Sequence, residues 1–157
     1  MKVLVKKLNP NAQIPTFGKP GDGCQDVVAV SCKYNPKYDR FEYGLGFATE
    51  IPEGYYVAIL PRSGNTKTDA YLPNSCGIID ADYRGEWKVI YKLRIPLFGL
   101  LEEINPMELA PYKVGDKLAQ AILRRKEDCE FIQVDKLSET ERGADGGLNR
   151  TDTDFTK

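Results

Sequence analysis

Histidine is absent from the chain, and no other absence excludes as much chemistry. There is no Ser-His or Cys-His nucleophile, no imidazole base and no His-ligated zinc. Acid–base work therefore falls to carboxylates, tyrosine, lysine or a thiolate. A surplus of one charge is also lacking: 22 Lys and Arg stand against 23 Asp and Glu, for a net charge of −1. Sequence-independent nucleic-acid binding relies on many Lys/Arg–phosphate contacts, so no nucleic-acid partner is expected. A small anion needs only a few well-placed donors. Cysteine is sparse and scattered. Cys24, Cys32, Cys76 and Cys129 form no Cys-x-x-Cys pair, which argues against zinc knuckles and redox pairs and suits reduced thiols. Long apolar runs are missing as well. Lysines interrupt Met1–Leu8 before a signal-length stretch forms, and Ile95–Leu101 is about a third of a membrane span. The expectation is a soluble, cytoplasmic protein without membrane contact. At 157 residues, one domain buries roughly 68–70 % of its unfolded surface.

Helix signals are few, whereas strand signals recur. Val3–Leu8, Asp26–Lys33, Phe41–Ile51, Tyr55–Leu60, Leu118–Arg125 and Glu130–Val134 are apolar or β-branched segments bounded by Pro, Gly, Asn or Asp. Glu86–Arg94 sets Trp87, Val89, Tyr91 and Leu93 against Lys88, Ile90, Lys92 and Arg94, the period of a half-buried strand. Seven or so short strands predict an all-β antiparallel sandwich or barrel. Leu97–Tyr112 holds two prolines and clustered Glu, and reads as a long loop with one short helical turn. From Glu139 onward the chain turns rich in Gly, Asp and Thr, which predicts a flexible arm. The expected organisation is a β-domain over 1–138, interrupted at about 97–112, followed by an arm over 139–157.

Five segments carry residues suited to chemistry. Pro61-Arg62-Ser63-Gly64 ends an apolar strand with a guanidinium fork, a hydroxyl and a residue without a Cβ, a set suited to phosphate. An ordinary strand-ending turn has the same look. Asn74–Gly85 (NSCGIIDADYRG) reads as a hairpin in which Asp80 and Asp82, two apart, face the same way. One carboxylate there can take a proton from water, or both can decorate a solvated tip. Gly115–Gln120 (GDKLAQ) places one Gln in an apolar strand. Its amide must bond either backbone or ligand. Arg142–Thr151 combines glycines able to wrap phosphates with two arginines. Gly23–Ala29 (GCQDVVA) adds Asp26 at a strand start.

In order and content these segments resemble the five signature segments of the trimeric all-β dUTPase family, the deoxyuridine triphosphate nucleotidohydrolases. Gly23–Ala29 resembles the first, Pro61–Gly64 the second, Asn74–Gly85 the third, Gly115–Gln120 the fourth and Arg142–Thr151 the fifth. Cys24 stands where the family usually has glycine. Leu148 stands where it usually has a phenylalanine that stacks on uracil.

The resemblance implies a distorted, jelly-roll-like antiparallel barrel with a flexible Gly-rich C-terminal tail. It also implies hydrolysis of dUTP to dUMP and pyrophosphate. Asp80 would be the general base for a water attacking the α-phosphorus. Arg62, Ser63, Gly64 and Gln120 would contact phosphates. Asn74 with the backbone of Gly77 and Ile79 would read uracil, and Tyr83 would pack on the deoxyribose and exclude a 2′-hydroxyl. Arg142 would close over the γ-phosphate with Leu148 nearby. Mg²⁺ would bridge the triphosphate, with Asp26 an outer-shell carboxylate acting through water. The expected assembly is a homotrimer with shared active sites. Two alternatives stay open: a dCTP deaminase-like enzyme on the same fold, and a nucleotide-sensing binding protein without turnover.

Overall fold

The structure, a computed structural model, describes residues 1–97 and 104–140. Among these residues there are ten strands, two short 3-10 turns and no α-helix. The strands are β1 (Leu4–Lys7), β2 (Gln25–Val28), β3 (Ser31–Asn35), β4 (Arg40–Gly44) and β5 (Phe47–Glu50), then β6 (Tyr55–Pro61), β7 (Ala70–Tyr71), β8 (Gly77–Ile79), β9 (Lys88–Leu93) and β10 (Lys117–Arg125). The 3-10 turns are η1 (Ser63–Lys67) and η2 (Pro106–Leu109). The chain divides into two compact units, Met1–Glu127 and Asp128–Lys157.

The all-β expectation holds, and every pairing is antiparallel. The ladders form three sheets, β1-β5, β2-β10-β6-β8 and β3-β4-β9-β7, without closing into a single ring among the described residues. Trp87, Val89 and Tyr91 are buried while Lys88 and Arg94 are exposed, as the period of two in Glu86–Arg94 predicts. Aromatic side chains fill the core. Phe41, Tyr43, Phe47 and Tyr91 are fully buried with Leu45, Ile59, Leu118, Val27 and Val89. Buried hydroxyl and indole groups find partners: Tyr91 Oη donates to Leu118 O at 2.8 Å and Trp87 Nε1 to Thr49 Oγ1 at 3.0 Å.

Three expected strands differ. Asp26–Lys33 is two strands in different sheets. Its middle is tied elsewhere: Ala29 N donates to Asp116 O, Ala29 O accepts from Gly115 N, and Val30 N donates to Gly44 O. Phe41–Ile51 also breaks, at Gly46, whose φ of +72° lies where glycine is favoured. A Cβ there would strike the side chains of Val30 and Asn9. Glu130–Val134 is not a strand, and Phe131 and Ile132 are 96% and 72% exposed. Apolar alternation alone does not make a strand that lacks a partner. The turn expected within Leu97–Tyr112 is η2, where Pro106 sits at the first helical position and Asn105 caps Met107 N.

Candidate active site

Strand pairing gathers one group of the predicted residues. Asp26 of β2 lies opposite Gln120 of β10, and Gln120 opposite Leu60 of β6. Arg62 follows directly on β6, so the sheet presents Asp26, Gln120 and Arg62 at one end. Arg62 Nε donates to Asp26 Oδ1 at 2.8 Å, and Lys117 Nζ reaches Asp26 Oδ2 at 2.9 Å. Arg62 Nη1 also donates to Lys117 O at 3.1 Å, and Gln120 Nε2 to Pro61 O at 2.9 Å. Partial burial pushes the Asp26 carboxyl up. The hydrogen bond from Lys117 and the charges of Arg62 and Lys117 outweigh it and hold the group below its ordinary value. The exposed residues Ser63 and Gly64 open η1. A Cβ on Gly64 would meet no atom within 4 Å, so packing within the chain does not require glycine there. Close approach of a ligand to the backbone would.

A second group lies on the β8 hairpin. Asn74 is exposed, and its Nδ2 would be 3.5 Å from a Cβ on Gly77. Gly77 pairs with Ile59 and the buried Ile79 with Val57. Beyond Ile79 the chain turns: Tyr83 N donates to Asp80 O at 3.2 Å, and Tyr83 Oη to Glu86 O at 3.1 Å. The Tyr83 ring lies against Gly85, where any Cβ would collide with it. A cavity of about 240 Å³ is lined by Ile78, Ile79, Asp80, Tyr83, Glu86 and Lys88. No salt bridge or side-chain hydrogen bond engages the exposed Asp80 carboxylate among the described residues.

Asp80 and Arg62 stand apart along β6. Asp80 adjoins the Val57 end of β6, and Arg62 leaves its Pro61 end. Val57 and Arg62 are five residues apart, about 17 Å at the usual rise. Arg142 and Leu148 lie outside the described residues. Sequence reasoning missed Lys117, although it stands three residues before Gln120 in the Gly115–Gln120 segment. It also missed Glu86 and Lys88 in the Asp80 cavity. Alternation places Lys88 on the outer face of β9, but only the hairpin's return brings it beside Asp80.

Among the described residues no three His, Cys, Asp or Glu side chains cluster tightly enough to cage a metal. A lone Asp26 suits an outer-shell role in which phosphates and water supply the inner oxygens. No helix among the described residues is long and apolar enough to cross a membrane. All four cysteines are free thiols.

Comparison with known proteins bears on the same residues. The dUTPase family model matches residues 10–94, which takes in Asp26, Arg62–Gly64 and the whole Asn74–Gly85 hairpin. The deoxyuridine 5′-triphosphate nucleotidohydrolase of Nautilia profundicola is 37% identical over 152 residues, covering 96% of this chain and 99% of that protein. That of Wolinella succinogenes is 36% identical over 152 residues, covering 96% and 94%. Among solved structures, the dUTPase of phage phi11 of S. aureus, described with a structural Mg(II) ion, superposes with a TM-score of 0.67 at 26% identity, covering 87% of this chain and 98% of that one. Staphylococcus bacteriophage 80alpha dUTPase with dUpNHpp superposes with a TM-score of 0.72 at 23% identity, covering 91% and 94%, and supports the fold. With the match running through Asp26, Arg62–Gly64 and the Asn74–Gly85 hairpin, and with relatives alike along nearly their full length, the chain belongs to the dUTPase family.

Proposed function

We propose that this protein hydrolyses dUTP to dUMP and pyrophosphate, with Asp80 as general base. The carrying observation is the contrast between its two candidate carboxylates. Asp26 is held by two cations, whereas Asp80 is exposed beside Tyr83 on the wall of a cavity of about 240 Å³. A carboxylate with free lone pairs can accept a proton from water. One already bonded to Arg62 and Lys117 is suited to orienting a charged neighbour instead. Water forms a bond to the α-phosphorus and its proton passes to Asp80. The bond from the α-phosphorus to the bridging oxygen breaks, and pyrophosphate leaves with the electron pair. Because a carboxylate is a weak base, positioning and charge neutralisation carry much of the rate.

Arg62, Ser63, Gly64 and Gln120 bind the phosphates, and Arg142 closes over the terminal one. Asn74 and the backbone of Gly77 and Ile79 read the uracil edge, with Leu148 laid against the base. Tyr83, braced on Gly85 and Glu86, occupies the space a 2′-hydroxyl needs. Asp26 would hold Mg²⁺ through water, and the bound ion would neutralise charge on the triphosphate.

The enzyme works as a homotrimer with shared sites. The separation of Asp80 and Arg62 along β6 supports this. The four free thiols fit a reducing compartment, the cytoplasm. A panel of dUTP, UTP, dCTP and dTTP, each with and without Mg²⁺, tests the reading. Pyrophosphate should appear from dUTP with Mg²⁺. Ammonia from dCTP, or stoichiometric binding without turnover, would replace it with a deaminase or a binding protein.

A further inference from the structure

The turn that presents Ser63 and Gly64 is held by a side chain remote in sequence. Asn65, the third residue of η1, is bonded through both ends of its amide. Nδ2 donates to Ala70 O at 2.9 Å, and Oδ1 accepts from Tyr112 Oη at 2.8 Å and from Thr68 Oγ1 at 3.2 Å. Its backbone N donates to Arg62 O at 2.9 Å, and its backbone O accepts from Thr68 N and Thr68 Oγ1. Asn65 is therefore bonded on both sides of the Ser63-Gly64 pair, and both of those residues are otherwise exposed.

Tyr112 is itself fixed. Its backbone N donates to Tyr43 Oη at 3.1 Å, and its backbone O accepts from the same hydroxyl at 3.0 Å. Its ring packs against Tyr43 and Tyr91 with centroids 6.3 and 5.0 Å away, and those two residues lie fully buried in the core. A rigid aromatic platform thus ends in one hydroxyl, and that hydroxyl bonds the residue next to Gly64. The Arg62–Asp26 pair fixes the turn at its start, but nothing in that pair constrains Ser63 or Gly64 themselves.

We infer that Tyr112 is a positioning residue for the phosphate-binding turn. Through Asn65 it sets the backbone of Ser63 and Gly64 in the geometry that receives the triphosphate. The inference rests on the dUTP reading above. It assigns a catalytic consequence to a residue that acts through Asn65 and lies outside the five signature segments.

Tyr112→Phe keeps the ring and removes only the hydroxyl, so the platform should stay folded. The loss of one partly buried hydrogen bond predicts a rise of about five- to ten-fold in KM for dUTP, with kcat within about two-fold of the parent. Inhibition by pyrophosphate should weaken by a similar factor, while inhibition by deoxyuridine, which has no phosphate, should not change. Asn65→Ala should raise KM likewise. The double variant should do no worse than the worse single one, because both changes cut the same link. Tyr34→Phe, which removes a comparable bond to Asp39, is the control and should leave KM alone. An active parent whose KM and pyrophosphate inhibition are unmoved by Tyr112→Phe overturns the inference and spares the dUTP reading. Equal weakening of pyrophosphate and deoxyuridine also overturns it, by exposing a general structural role. A parent without dUTP turnover overturns both.

Discussion

Asp80 and Tyr83 are three residues apart on one hairpin and answer to different tests. Asp80→Asn keeps the shape but removes proton acceptance. It should lower kcat by roughly 10²–10⁴ with KM for dUTP nearly unchanged, measured as pyrophosphate release. A fall of only a few-fold would reduce Asp80 to a structural role. Tyr83→Ala takes away the ring braced over Gly85. It should raise kcat/KM for UTP relative to dUTP by about ten-fold or more, since exclusion by contact is lost once the wall is gone. At this scale the sequence offers candidates where residue type is itself the chemistry: the carboxylates, the Arg-Ser-Gly turn and the strand glutamine. Lys117 and Lys88 escaped notice because a surface lysine is chemically ordinary. What distinguishes them is proximity to Asp26 and Asp80, and strand pairing and the hairpin's return create that proximity.

The β3–β4 hairpin supplies the clearest test at the level of elements. Glu42 lies buried on β4 within reach of Arg40, Asn35 and Lys33. The hydrogen bond from Arg40 leads these partners in pulling its carboxyl from 4.5 to about 2, against an opposing push from burial. A depressed folded-state value means that the stabilisation is complete above about pH 4.5 and is lost as pH falls toward 2. Glu42→Gln should cost about 1 kcal/mol at neutral pH, a modest figure because Lys33 and Arg40 remain partly wet and screened. Thermal melts should show a Tm lower by roughly 2–4 °C, with a shallower decline than the parent's between pH 4.5 and 2. Identical slopes would place no linkage at Glu42.

Periodicity revealed the elements to an uneven degree. Glu86–Arg94 was readable because one face is buried and one wet, which writes a period of two into the residues. Asp26–Lys33 and Phe41–Ile51 were not. Apolar content continues through Ala29 and Leu45 while the backbone changes partners, and composition carries no mark of that change. The two-residue β7 and three-residue β8 were too short to leave a pattern.

Taken as a whole molecule, the protein separates Arg62 and Asp80, the proposed phosphate ligand and base, along one strand, and the proposed trimer joins them. Two inactive chains should therefore complement each other. Asp80→Asn and Arg62→Ala, refolded together, should recover up to about a quarter of parent activity, the fraction of sites drawing both intact halves under random mixing in a closed symmetric oligomer. Activity no higher than the sum of the separate variants would confine each site to one chain. The central claim, water attack at the α-phosphorus of dUTP, is tested most directly by turnover in ¹⁸O-labelled water with Mg²⁺ and mass analysis of both products. The label should appear in dUMP alone, with one pyrophosphate released per dUTP consumed. Label in the pyrophosphate, or release of inorganic phosphate in its place, would contradict attack at that atom.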